Sequence, residues 1–222
     1  MTDQYINAIL NTPTTIGVYG SRNTGKSFLT KQFLLNQEKL IFPIWNKIYF
    51  FFKHYQEDIF TELKQKFGDN LILMNEFLDF ASLKKQQQPT CFVFDDFLTE
   101  GINSDQIAQL YISGRHLNIS LIFLSQNFFA KGKHQVTQNR NTEVVILMEN
   151  LSDQTIIRNL AYKMYPKQEQ FLIDSYNDSI KSPYCHLLIN RQPNSNRSAR
   201  VRGNIFKYRN KLTVYLPRKA RK

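Results

Sequence analysis

A chain of 222 residues, 42% hydrophobic and 21% charged, has the composition of a soluble globular protein with room for one sizeable α/β domain and at most a small appendage. Its 29 Lys and Arg outnumber 18 Asp and Glu, yet eleven of the basic residues fall in the 32 positions from Arg191 onward, where no acid occurs, so positions 1–190 are formally neutral. Two cysteines, Cys91 and Cys185, both in apolar runs, exclude a disulfide framework and read as buried thiols of an intracellular protein, and the most apolar stretch, 41–52, carries Asn46 and Lys47 and is too short to span a bilayer.

In chain order, the first strand signal is Thr15–Tyr19, a β-branched and aromatic run that stops at Gly20. From Ser27 to Leu35 the apolar residues take helical spacing. Residues 47–52 read as a buried strand, 56–67 as a helix and 71–74 as a short strand. The spacing predicts a helix over 77–85 and a surface turn at 86–89. Cys91–Phe94 is a continuous apolar run closed by Asp95 and Asp96, which suits a central parallel strand covered on both faces. A helix over 104–113 leads to a strand at 119–124 that ends at Ser125-Gln126, and 143–148 repeats the strand pattern. Helices over 153–162 and 168–176 precede a last pair of strands near 186–189 and 212–215. Strands alternating with helices imply an α/β fold with an open, mainly parallel sheet and helices on both faces. The 18 Phe and 11 Tyr belong mostly in that core or at an interface.

The run Gly20-Ser21-Arg22-Asn23-Thr24-Gly25-Lys26-Ser27 has the G-x-x-x-x-G-K-S pattern of a phosphate-binding loop, and it stands where that pattern must stand, between a strand and a helix. Gly20 and Gly25 permit backbone that a side chain would forbid. The loop's N–H groups and the helix N-terminus would face phosphates, Lys26 would neutralise the β- and γ-phosphates of ATP, and the Ser27 hydroxyl would ligate Mg²⁺. Phe28 follows directly and completes the expected nucleotide-contacting stretch. A carboxylate ending a central strand is the expected second Mg²⁺ holder, here Asp95. Asp96 is placed to orient or activate the attacking water, or else to cap the following turn or helix. Gln126, ending the next strand, is placed to sense the γ-phosphate or position water.

Together with the segment Ser113-Gly-Arg-His-Leu-Asn-Ile-Ser-Leu-Ile-Phe-Leu-Ser-Gln-Asn-Phe-Phe129, these elements resemble the genome-packaging ATPases of poxviruses and other large DNA viruses, and closely those of Polinton/Maverick elements, adintoviruses and virophages. Phe94-Asp-Asp96 matches that family's acidic motif, with Asp rather than Glu second. Asn141–Asn150, Leu160–Pro166, Val201–Phe206 and Val214–Arg218 resemble further segments of the group. The family belongs to the FtsK/HerA superfamily. The resemblance implies a RecA-like P-loop core, a homo-oligomeric ring (pentamer or hexamer), and ATP hydrolysis driving double-stranded DNA into a capsid. It also implies capsid or portal-vertex proteins as partners and action inside the host cell at the assembling virion. A second residue also departs from the pattern: Ser152 stands where the segment Asn150–Asp153 would be expected to carry an arginine.

In such a ring an arginine from the neighbouring subunit would stabilise charge on the transferring phosphate. Arg115 and Arg140, then Arg158, are the candidates, each equally readable as a surface arginine. Arg22 is expected on the outer side of the phosphate loop. The four histidines share no ligand spacing and are not read as metal-binding. The chain thus divides into an ATPase core, 1–190, and a basic segment, 191–222, expected to form a strand and then a mobile end from Pro217. That segment either tracks DNA phosphates or docks on a partner. The Lys131-Gly-Lys-His134 loop is a second candidate DNA contact. The alternatives to a packaging motor are another FtsK/HerA-type DNA pump, a P-loop kinase acting on a small acceptor, or a DNA-binding protein with a vestigial loop.

Overall fold

Each apolar run between Thr15 and Met148 forms a strand in the computed structural model, which describes residues 9–126, 128, 131–151, 153–206 and 213–217. The strands are β1 (Leu10–Asn11), β2 (Thr15–Tyr19), β3 (Ile41–Phe42), β4 (Lys47–Phe52), β5 (Leu71–Met74), β6 (Thr90–Asp95), β7 (Ile119–Ser125), β8 (Val144–Met148), β9 (His186–Asn190), β10 (Val201–Gly203) and β11 (Thr213–Tyr215). The helices are α1 (Lys26–Leu35), α2 (Gln37–Leu40), α3 (Glu57–Phe67), α4 (Leu98–Asn103), α5 (Asp105–Ser113), α6 (Gln135–Asn141), α7 (Thr155–Met164) and α8 (Glu169–Ser179). Among the described residues no helix is long and apolar enough to cross a membrane.

Nine strands form one sheet in the order β11-β10-β9-β8-β2-β7-β6-β4-β5, and β1 pairs with β3 apart from it. The six strands from β8 to β5 run parallel, and β9, β10 and β11 add an antiparallel flank. The central strands lack polar alternation because both faces are covered. On β7, Ile122 and Leu124 pack into the layer holding Leu29 and Phe33 of α1 and Phe60 and Leu63 of α3. Their neighbours Leu121 and Phe123 point the other way, against Ile107 and Leu110 of α5. Further along that second face, α7 and α8 bury Ile156, Leu160, Leu172 and Tyr176 on Val145, Leu147 and Leu187. The phenylalanines fill the α5 layer, where Phe51 stacks on Phe94 at 4.9 Å and Phe77 meets Phe97 at 4.6 Å.

This order sets β2, β7 and β6 side by side, so the chain leaves their C-terminal ends at one rim after Tyr19, Ser125 and Asp95. In open parallel sheets that rim is where ligands bind.

Two expectations about elements are corrected. The helix expected over 77–85 is only a single 3₁₀ turn at Phe80–Ser82. Its aromatic residues supply a three-residue spacing, but they reach Phe51, Phe92 and Phe97 on sheet and loop without needing a helix. The helix expected over 104–113 forms as α5, with Ser104 capping it by accepting from the Ile107 N–H at 3.2 Å, and a separate helix, α4, precedes it. Residues from Arg191 onward contribute two strands, β10 and β11, to the main sheet rather than one. Leu212, at the start of the last predicted strand, and residues 218–222, in the end expected to be mobile, lie outside the described residues.

Candidate functional site

At the end of β2 the chain reverses through Gly20–Gly25 into α1, and packing dictates both glycines. A Cβ on Gly20 would lie 2.8 Å from Met148 Cβ and 2.8 Å from Thr24 Oγ1. Gly25 has φ 86°, in the left-handed region, and a Cβ there would lie 2.9 Å from Tyr184 Cδ1. The turn is pinned from both neighbouring strand ends. The Gly20 N–H donates to Ser125 O at 3.3 Å, and the Ser21 N–H donates to Glu149 O at 3.1 Å. The Ser21 hydroxyl donates to Asn150 Oδ1 at 2.9 Å, and the Thr24 hydroxyl to Ser21 O at 2.9 Å.

Lys26 opens α1, so its ammonium and the positive helix terminus act at the same place. Its Nζ donates to the carbonyls of Gly20 at 2.9 Å and Ser21 at 2.7 Å. Burial holds the amine below the ordinary lysine range, while Asp95 and Asp96 pull it back up. The Ser27 hydroxyl donates to Asp95 Oδ2 at 2.6 Å. Asp95 ends the central strand β6 and is 8% exposed. Burial raises its carboxyl above the usual range, with Asp96 adding to the rise, against the opposing Ser27, Lys26 and Gln56 contacts.

Asp96 is exposed at φ 65°, a left-handed position that Asp tolerates better than most residues. The residue capping α4 is Phe97, and no side-chain cap bond forms there, so the capping role considered for Asp96 is not the one it takes. Its side chain lines a cleft of about 450 Å³ together with Lys26, Ser27, Asp95 and Gln126. Arg22, Asn23, Gly25 and Phe28 line the same cleft, whereas Gly20, Ser21 and Thr24 form the frame behind it. Gln126 is exposed, and its carbonyl accepts from Asn150 Nδ2 at 3.3 Å. Four distant chain segments therefore converge on a cradle that combines a cation, a helix terminus, paired hard oxygens and a side-chain amide.

Sequence reading missed several parts of this site. The segment after β4 brings Lys53, His54 and Gln56 to the cleft, and Gln56 hydrogen-bonds Asp95. The signal for them was positional: β4 is parallel to β6 and ends at the same rim. Asn150, 6% exposed, ties Ser21 of the phosphate loop to Gln126.

Arg115 and Arg140 do not line the cleft. With Arg191 they line a second cavity of about 200 Å³ beside Thr15, Ile119 and Glu143, which begin or precede the parallel strands β2, β7 and β8. Five residues of β2 separate that end of the sheet from the phosphate loop, about 16 Å at 3.3 Å per residue. Among the described residues none of these three arginines pairs with a carboxylate. Arg158 is exposed on α7, and Ser152 lies outside the described residues. In the Lys131–His134 loop, Lys133 Nζ and His134 Nε2 both engage Asp105, at 2.8 and 2.5 Å, which leaves Lys131 as its exposed unpaired cation among the described residues. Part of the basic segment is structural. Arg202 is 2% exposed with its pKa lowered to about 10 by burial, and Arg191 donates to Asn139 O at 3.0 Å.

Residues 6–180 match the protein family described as Poxvirus A32 protein. Among solved structures, the genome packaging NTPase B204 of Sulfolobus turreted icosahedral virus 2 in complex with AMP is 13% identical. It aligns over 95% of this chain and 100% of its own, with a TM-score of 0.57. The same NTPase with ATP-gammaS is 12% identical over 93% of this chain and 98% of its own, TM-score 0.56. With AMPPCP it is 14% identical over 94% and 100%, also at 0.56. These likenesses establish the shared P-loop NTPase fold. No curated protein matches the chain.

Proposed function

This chain belongs to the Poxvirus A32 protein family, and on that footing and the geometry of the cleft we propose that it is an ATP-driven motor that moves double-stranded DNA into a viral capsid. The observation that carries the ATPase reading is the convergence of Lys26, Ser27, Asp95, Asp96 and Gln126 on one cleft at the C-terminal rim of the sheet. Lys26 binds the β- and γ-phosphates once its ammonium exchanges the carbonyls of Gly20 and Ser21 for them. Ser27 Oγ and Asp95 Oδ2, 2.6 Å apart, are two hard oxygen donors that fit Mg²⁺, an ion that takes few protein ligands beside phosphate. Mg²⁺, held by Ser27 and Asp95, would supply charge neutralisation at the phosphates. Asp96 orients the attacking water, and Gln126 reports on the γ-phosphate.

The structural neighbours are a packaging NTPase seen with AMP, ATP-gammaS and AMPPCP, and this likeness supports nucleotide binding by the same rim. Arg115 and Arg140 sit too far from their own phosphate loop to act in cis. They act on the nucleotide of an adjacent subunit in a closed ring of five or six copies joined head to tail. The motor works inside the host cell at the assembling virion, against capsid or portal proteins. Basic residues of the C-terminal segment, with Lys131, hold the DNA backbone without reading sequence.

The test is steady-state ATP hydrolysis with and without duplex DNA at low salt, for wild type and Lys26→Ala. Stimulation by DNA, and a loss of about a hundredfold or more in the variant, are expected. Hydrolysis indifferent to DNA would favour a small-molecule kinase and refute the motor.

A further inference from the structure

Lys26, Ser27, Asp95 and Gln126 mark where the terminal phosphate sits, on the β7–β6 side of the phosphate loop. A nucleotide laid along the loop must extend its nucleoside the opposite way, toward β8 and β9. Met148, at the end of β8, pairs with His186 at the start of β9, and Met148 Cβ is one of the two atoms that would crowd a Cβ on Gly20. The turn before β9 therefore stands against the loop on the nucleoside side.

Tyr184 occupies that turn. Its ring edge lies over Gly25, close enough that a Cβ on the glycine would meet Cδ1 at 2.9 Å. The rest of the side chain is open to solvent, 69% exposed, so core packing does not account for it. Its φ is 61°, a left-handed conformation that is an outlier for a bulky residue, and such outliers concentrate at ligand sites. An exposed aromatic face, held at the phosphate loop by a backbone that disfavours it, is a stacking platform for a planar ring.

We propose that Tyr184 stacks on the base of the bound nucleoside triphosphate and supplies the affinity for the nucleoside that the phosphate loop cannot. This rests on the nucleotide reading of the cleft. Stacking on a tyrosine is tolerant of base identity, so the contact selects nucleotides over bare polyphosphate rather than adenine over guanine.

The experiment is calorimetric titration of the full chain with AMPPNP and, separately, inorganic tripolyphosphate, both with Mg²⁺, for wild type, Tyr184→Ala, Tyr184→Phe and Phe28→Ala. Tyr184→Ala is expected to weaken AMPPNP binding roughly five- to a hundredfold and leave tripolyphosphate within twofold, while Tyr184→Phe binds both like wild type. Unchanged tripolyphosphate binding also shows that the variant is folded. Equal losses for both ligands would overturn the proposal, since Tyr184 would then merely brace the loop. Loss of the preference for AMPPNP in Phe28→Ala but not in Tyr184→Ala would move the base to Phe28, which is 53% exposed in the cleft, and would overturn it too. Wild-type protein that binds neither compound would remove the nucleotide reading itself.

Discussion

Asp95→Asn is expected to make the ligand-free protein more stable while disabling it. Moving a carboxylate out of water costs several kcal/mol, and charge-assisted hydrogen bonds return about 1.5–3 kcal/mol each. Asp95 is 8% exposed and accepts from Ser27 at 2.6 Å, yet its carboxyl still lies above the ordinary range, so burial outweighs the compensation. A group whose pKa is raised by folding binds more protons in the folded chain than in the unfolded one. Its contribution to stability therefore falls as pH rises through the raised value. An amide of the same shape keeps an oxygen for Ser27 and drops the buried charge, a gain of about 1–2 kcal/mol. For a chain of this size each kcal/mol moves Tm by roughly 2–4 °C. Thermal unfolding without nucleotide or Mg²⁺ should show the variant melting higher at about pH 8, with the difference closing as pH falls into the carboxylate range. Hydrolysis should fall by about a hundredfold or more. With Mg²⁺ and nucleotide the order should reverse, because only wild type gains a cation beside the carboxylate. A variant that melts lower than wild type at about pH 8, or a difference independent of pH, would refute this account.

Subunits carrying Arg115→Ala or Arg140→Ala should hydrolyse ATP poorly alone but regain activity when mixed with Lys26→Ala subunits, because each supplies what the other lacks. No recovery on mixing either arginine variant would remove both from the trans role. Asn150→Ala leaves Ser21 Oγ and the Asp153 N–H without their acceptor, and should cost about 1–3 kcal/mol in denaturant unfolding. It should also slow hydrolysis tenfold or more, because the phosphate loop and Gln126 lose their common tether; a normal rate would show the tether to be structural only. His186 is buried with its pKa lowered to about 4, so the unfolded chain takes up a proton before the folded one does. Stability should fall between the ordinary histidine value of 6.5 and about 4, and His186→Gln should flatten that part of a Tm-against-pH curve.

Most of the parallel sheet was legible because it is written locally. Leu71–Met74 and Lys47–Phe52 are bounded by the residues that bound them in space, and two-sided burial makes their apolar runs continuous. The strands that escaped reading are short ones held in place by their pairing partners. β1 and β3 are two residues each and exist through pairing with one another. β10 exists because β9 and β11 lie on either side of it. Phe77–Lys85 failed in the opposite direction, since its aromatic spacing satisfied a helix while tertiary contacts with Phe51, Phe92 and Phe97 decided the conformation.

The same division runs through the site. Gly20–Ser27 could be read as a unit because phosphate binding by backbone amides needs consecutive residues, and the strand and helix on either side are local too. Asp95 and Gln126 could be read because each ends a strand, and strand ends of a parallel sheet share a rim. Gln56, Asn150 and Tyr184 have no such address. Gln56 matters through a hydrogen bond to Asp95, Asn150 through bonds to two loops at once, and Tyr184 through contact with one glycine. The arginines show the limit from the other side. Arg115 and Arg140 were picked as functional on chain position alone. The structure places them together with Arg191 at the far end of the sheet, away from their own phosphate loop, and position along the chain gave no sign of that grouping.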